Sequence, residues 1–232
     1  MADLSAEEFE RRLREHQSDE EKRGYERYFK TGSDRFIGVR MGTVFELAKE
    51  FIDLPPAEIE RLLDSDVHEL RAGALSVMDK QARRKRTPPE RRTELYELYL
   101  RKHDRIDNWD LVDLAAIHVV GGYLADRPRD VLYELARSPR WWERRTAVVA
   151  TAYFIKSSDL DDTYGIAELL LGDPEDLVHK AVGGWLRAAG DKDPDRLRAF
   201  LDRHAAAMPR VMLRYAIEHL DAAQREHYRA LR

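Results

Sequence analysis

The sequence contains no cysteine. That excludes disulfides, Cys-ligated zinc and iron–sulfur clusters, and it suits a reducing compartment. Strand signals are almost as scarce, since no stretch alternates apolar and polar residues between Gly or Asn turns. Long hydrophobic runs are missing too. The longest, around Leu111 to Leu124, is too short and too interrupted to span a bilayer. The N-terminus from Met1 to Arg14 mixes acidic and basic residues and has no apolar signal-peptide core. A soluble, cytoplasmic protein is expected. No Pro/Gly/Ser-rich linker divides the chain, and the basic run Arg83–Arg84–Lys85–Arg86 falls between two helices. One domain covering residues 1–232 is therefore expected. The eight histidines are scattered and form neither His-Glu-x-x-His nor a comparable ligand set. No metal and no cofactor are expected.

What is present is helix. A charged fraction of 36% beside 43% hydrophobic residues suits many amphipathic helices with solvated outer faces. The length of 232 residues allows a core that needs no staples. Net charge is −4, which taken alone speaks weakly against nucleic-acid binding. The placement of charge matters more than its sum, because one basic face can be balanced by acid elsewhere.

Proline punctuates the chain at helix starts. Pro55–Pro56–Ala57–Glu58 opens one helix, and Pro88–Pro89–Glu90 opens the helix carrying Leu95 to Leu100. Ser138–Pro139 precedes a helix expected over 140–155, Asp173–Pro174 one over 175–189, and Asp193–Pro194 one over 195–204. Short connections imply antiparallel neighbours. The segments from Pro139 and from Pro174 resemble each other weakly, as diverged helix-pair repeats do. The expected fold class is all-α, a superhelical stack of HEAT-like antiparallel helix pairs of roughly 40 residues each, with a long concave face. A compact bundle is the competing arrangement.

Four segments stand out chemically. Asp107 or Asn108 can cap the helix that follows, and Asp110 suits its dipole. Trp109 and Asp113, four residues apart, share a face. That face continues through Ala116, Ile117, Val120 and Leu124, so Asp113 is a carboxylate in an otherwise apolar stripe. It is either a structural, ion-paired aspartate or a carboxylate beside an aromatic wall, able to stabilise positive charge or orient water. Trp141 and Trp142 are adjacent near a helix start and cannot both face the core. Arg145, on the face of Trp142, could pair with Asp113, contact a phosphate or cover an indole. Gly183 and Gly184 lie together inside a helix at a cost of roughly 1 kcal/mol each, which implies close approach by a backbone or a ligand. Arg210 and Arg214 share a face of the last of these helices.

These segments resemble the AlkD-like DNA glycosylases. The likeness is carried by Trp109-Asp-Leu-Val-Asp113, Trp142-Glu-Arg-Arg145, Lys180-Ala-Val-Gly183 with Leu186-Arg187, and Met208-Pro-Arg with Arg214-Tyr-Ala-Ile-Glu218. Gly38-Val-Arg, His68-Glu-Leu-Arg71 and Tyr28-Phe-Lys-Thr31 match too. The order is the family's and nearly the whole chain is covered. The resemblance implies a HEAT-like fold that holds duplex DNA and excises cationic N3- and N7-alkylated purines without base flipping. It implies Asp113, Trp109 and Arg145 as the catalytic set, and Trp185, Lys180, Arg187, Arg144 and Arg214 as DNA-binding residues. The implied protein is a nucleoid-associated monomer whose partner is duplex DNA containing alkylated purines. At one position this chain departs from the family. The second cleft tryptophan should follow the first glycine directly, where Gly184 stands; Trp185 comes one residue later, a rotation of about 100°. Either the glycines distort the helix locally, or another residue fills the role. The rival reading is a catalytically weak or inactive HEAT-like scaffold that binds DNA or protein.

Overall fold

The computed structural model describes residues 4–29 and 35–231, and every element of regular structure in them is helical. The β pairing among the described residues is an isolated parallel bridge between Arg35 and Val67. No helix in them is long and apolar enough to cross a membrane. The chain divides into two compact units, Met1–Val119 and Val120–Arg232.

The first unit contains α1 (Ala6–Arg14), α2 (Asp19–Tyr28), α3 (Met41–Glu50), α4 (Pro56–Leu63), α5 (His68–Arg83), α6 (Pro89–Arg101) and α7 (Trp109–Ala115). Their starts follow local chemistry. Ser5 accepts a hydrogen bond from the Glu8 amide at 3.2 Å, and proline occupies the first turns of α4 and α6, where its missing N–H costs nothing. Helix α5 is the centre of the unit. It is buried along nearly its whole length and packs against α3, α4, α6 and α7. Gly73 within it faces Phe9 of α1 so closely that an added Cβ would lie 2.5 Å from the ring.

The second unit contains α8 (Asp130–Leu135), α9 (Trp141–Ala150), α10 (Ala152–Ile155), α11 (Asp161–Leu169), α12 (Asp176–Gly190), α13 (Pro194–His204), α14 (Arg210–Ala216) and α15 (Ala222–Ala230). Helix α12 is its spine and packs on α9, α11, α13 and, most extensively, α14. Asp193 and Asp221 cap α13 and α15 by accepting from the amides of Arg196 and Gln224. The single helix expected over 140–155 is broken at Thr151, between α9 and α10. There the Thr151 hydroxyl donates to the Val148 carbonyl at 2.7 Å and competes with the helical ladder.

Candidate active site and nucleic-acid interface

Helix α7 carries the Trp109–Asp113 pair. Its N-cap is Asn108, buried, whose Oδ1 accepts from the Trp109 amide at 2.8 Å. Asp107 and Asp110, expected as caps and dipole partners, do something else. The Arg71 guanidinium donates to Asp107 at 2.7 Å and to the Arg105 carbonyl at 3.0 Å. His68 Nε2 donates to Asp110 Oδ2 at 2.7 Å, and the carboxylate partner dictates that the proton sits on that nitrogen. His68 and Arg71 are both buried and both lie on the first turn of α5. The start of α7 is thus bolted to the start of α5 by two ionic hydrogen bonds.

The residue between them completes the device. Glu69, fully buried, accepts from the backbone amides of Ile37, Gly38 and Val39 at 3.1, 2.7 and 3.2 Å. Gly38 makes this possible with φ +81°, a conformation that a side chain resists. A Cβ there would also strike the Ser18 carbonyl at 2.0 Å. The His68-Glu-Leu-Arg71 and Gly38-Val-Arg segments are therefore positioning machinery. The sequence signal that could have revealed them is an acid flanked by His and Arg on an otherwise apolar helix.

Trp109 stands against an aromatic group on α2 and the segment after it. Its ring stacks on Phe29 (6.1 Å, 21°) and meets Tyr28 edge-on (6.3 Å). Phe29 in turn stacks on Phe36, and both rings touch the His68 imidazole. A cavity of about 400 Å³ opens here, lined by Tyr25, Tyr28, Phe29, Met41, Trp109 and Asp110 among others. Burial is the main cause that pushes the Tyr25 phenol above its ordinary pKa. Lys30 and Thr31, from the same sequence segment as Tyr28, lie outside the described residues. Asp113, one turn beyond Trp109, is exposed. It does not lie buried in an apolar stripe, although Ala116, three residues on, is buried. Trp109 is half-buried. Together they present an indole and an accessible carboxylate on one side of a firmly held helix.

In the second unit α9 begins with Trp141 and Trp142, both half-buried and packed edge-to-face at 5.9 Å. Arg144 braces this turn. Its guanidinium donates to both oxygens of buried Asp173, at 2.6 and 3.0 Å, and to the carbonyls of Ser138 and Pro139. A guanidinium so engaged has little left to offer a phosphate. Arg145 is buried and donates to the Leu177 carbonyl at the start of α12. Arg187 is ion-paired with Glu218, in the turn after α14. By contrast Lys180 and Arg214 are exposed; Lys180 has no ion-pair partner among the described residues, and Arg214 lies over the Tyr215 ring.

The paired glycines separate cleanly. At Gly183 a Cβ would lie 2.4 Å from the Met212 carbonyl and 2.7 Å from Tyr215 Cβ, so the absent side chain is what brings α12 onto α14. At Gly184 the space is open. Helix α12 is continuous through both, which removes local distortion as an explanation for the displaced tryptophan. Trp185, half-buried, therefore occupies a face rotated by about 100° from position 184.

The profile of the family described as "DNA alkylation repair enzyme" matches residues 9–220. The chain belongs to that family. The solved structure of a "Predicted DNA alkylation repair enzyme from Enterococcus faecalis" shares its all-α helical-repeat fold with a TM-score of 0.69, covering 89% of this chain and 98% of the other at 17% identity. No curated protein matches the sequence. A role in repair of alkylated DNA follows from membership, and the matched span includes Trp109, Asp113, Arg145, Lys180 and Arg214.

Proposed function

We propose that the protein is an alkylpurine DNA glycosylase, hydrolysing the N-glycosidic bond of cationic N3- and N7-alkylated purines in duplex DNA. The observation that carries this reading is the pairing of exposed Asp113 with Trp109, one turn apart on a helix whose start is pinned by His68–Asp110 and Arg71–Asp107. The chemistry asks for no more than this. An alkylated purine already bears a positive charge, so when the C1′–N bond breaks its electrons neutralise the base and no general acid is needed. What remains is an oxocarbenium-like sugar and a water that must add to C1′. An accessible carboxylate stabilises the first electrostatically and accepts the proton of the second. The Trp109 indole offers a π face to the cationic sugar.

The remaining residues take supporting roles in this reading. Arg145, tied to Leu177, positions the start of α12. Lys180 and Arg214 are the exposed cations best able to meet phosphates, which position DNA without reading its sequence. Arg144 and Arg187 act through their carboxylate partners. No step requires the base to leave the stack.

The test is release of 7-methylguanine from methylated duplex DNA by the unaltered protein and by Asp113→Asn. Release by the first and its loss in the second is the expected result. DNA bound equally by both proteins with no release from either would replace this reading with the scaffold, for which Trp185 on its rotated face already speaks.

A further inference from the structure

Helix α15 follows the segment that matches the family profile, which ends at residue 220. It is not a loose tail. Tyr228 is buried, and its hydroxyl donates to Asp202 of α13 at 2.9 Å. The Asp221 cap fixes the other end. With Tyr228 turned inward, Arg225 and Arg229, one turn apart, line a cavity of about 410 Å³ together with Arg214, Tyr215 and Glu218.

The charge in this cavity is uneven. Three guanidiniums face one carboxylate, and that carboxylate, Glu218, is already paired with Arg187. Arg225 is held in place by the Leu220 carbonyl, to which it donates at 2.6 Å. Arg214 and Arg229 are exposed and have no ion-pair partner among the described residues. Arg210, also exposed, lies one turn before Arg214 on α14. Guanidiniums without carboxylate partners around an open hollow attract an anion with several oxygens, for which their planar donor sets are suited.

We propose that Arg214, Arg225 and Arg229 form a phosphate-binding site for the nucleic-acid backbone, completed by α15 from outside the family-matched segment. The site deepens the glycosylase reading and rests on its premise that the protein binds DNA. It enlarges the footprint on the duplex by phosphate contacts that carry no sequence information.

The experiment measures affinity for a short undamaged duplex by fluorescence anisotropy over a series of salt concentrations. It compares the unaltered protein with Arg229→Ala, Arg214→Ala and the double variant. Arg203→Ala, which removes an exposed arginine of α13, is the control. Arg225 is left in place because it also caps a carbonyl of the fold. Each lost phosphate contact should flatten the slope of log K against log salt by about 0.9, and the double variant by about twice that. The control should leave the slope unchanged.

Equal slopes in all five proteins would overturn the site, as would failure of the unaltered protein to bind duplex at all. Displacement of DNA by low concentrations of inorganic phosphate at matched ionic strength would reassign the hollow to free phosphate. Binding is read on undamaged DNA, so absence of 7-methylguanine release would sink the glycosylase reading and leave this measurement standing.

Discussion

Asp110 and Asp113 are three residues apart on one helix and have opposite surroundings. Asp110 has one oxygen on the buried His68 imidazole and the other buried without a hydrogen-bond partner, whereas Asp113 is exposed. Asp110 is tied into the fold, and the proposed reaction uses the exposed Asp113 instead. Asp110→Ala should therefore destabilise the protein by about 1–3 kcal/mol, because the buried Nε2–H of His68 loses its acceptor. Urea unfolding that shows no change would mean the pair contributes nothing to stability. Gly38→Ala should cost more than about 1 kcal/mol, since alanine resists a positive φ and its Cβ meets the Ser18 carbonyl. A melting temperature equal to that of the unaltered protein would refute this account of the loop.

At the scale of the element, α12 shows why two adjacent glycines are not equivalent. Gly183→Ala should destabilise by about 1–3 kcal/mol, because a Cβ would drive α12 away from the α14 backbone. Gly184→Ala should stabilise by up to about 1 kcal/mol, since alanine is the better helix former and the space is open. Thermal unfolding of the two variants side by side checks the contrast, and equal shifts would contradict it. Three tyrosines of the second unit add a pH dependence. Burial, first, and hydrogen bonding to Asp202 push the Tyr228 phenol up to about 12, and Tyr133 and Tyr164 are pushed to about 12 as well, again by burial first. A raised folded pKa means that stability is fully present below the unfolded value of about 10 and is lost as pH rises through the folded one. Denaturant midpoints should hold to pH near 10 and fall above it. A flat alkaline limb would show that these phenols do not contribute.

At the scale of the molecule, a net charge of −4 coexists with exposed cations on α12, α14 and α15. A steep decline of DNA affinity with salt is expected in spite of that sum, because counterion release depends on local contacts. A salt-independent affinity would remove the electrostatic basis of the proposed interface. No group of residues suited to hold a metal ion occurs among those described. Because the proposed mechanism needs only the Asp113 carboxylate and water, release of 7-methylguanine should survive a chelator, and its loss would point to a different mechanism.

Sequence alone determined the helical class and the starts of α4, α6, α12 and α13, because proline, capping residues and apolar spacing act within a few residues of one another, and the resemblance of its motif segments gave the family. It also singled out Trp109 and Asp113, whose four-residue spacing ensures a shared face on any helix. Tertiary structure alone decided which charges are spent on the fold. That Arg144 embraces Asp173, that Arg187 is matched by Glu218, and that His68, Glu69 and Arg71 hold α7 and residues 37–39 in place are facts of contacts far apart in the chain. The inward turn of Tyr228 belongs with them. Local propensity is a property of neighbouring residues, but the partner of a charged side chain is chosen by packing, and packing exists only once the helices have met.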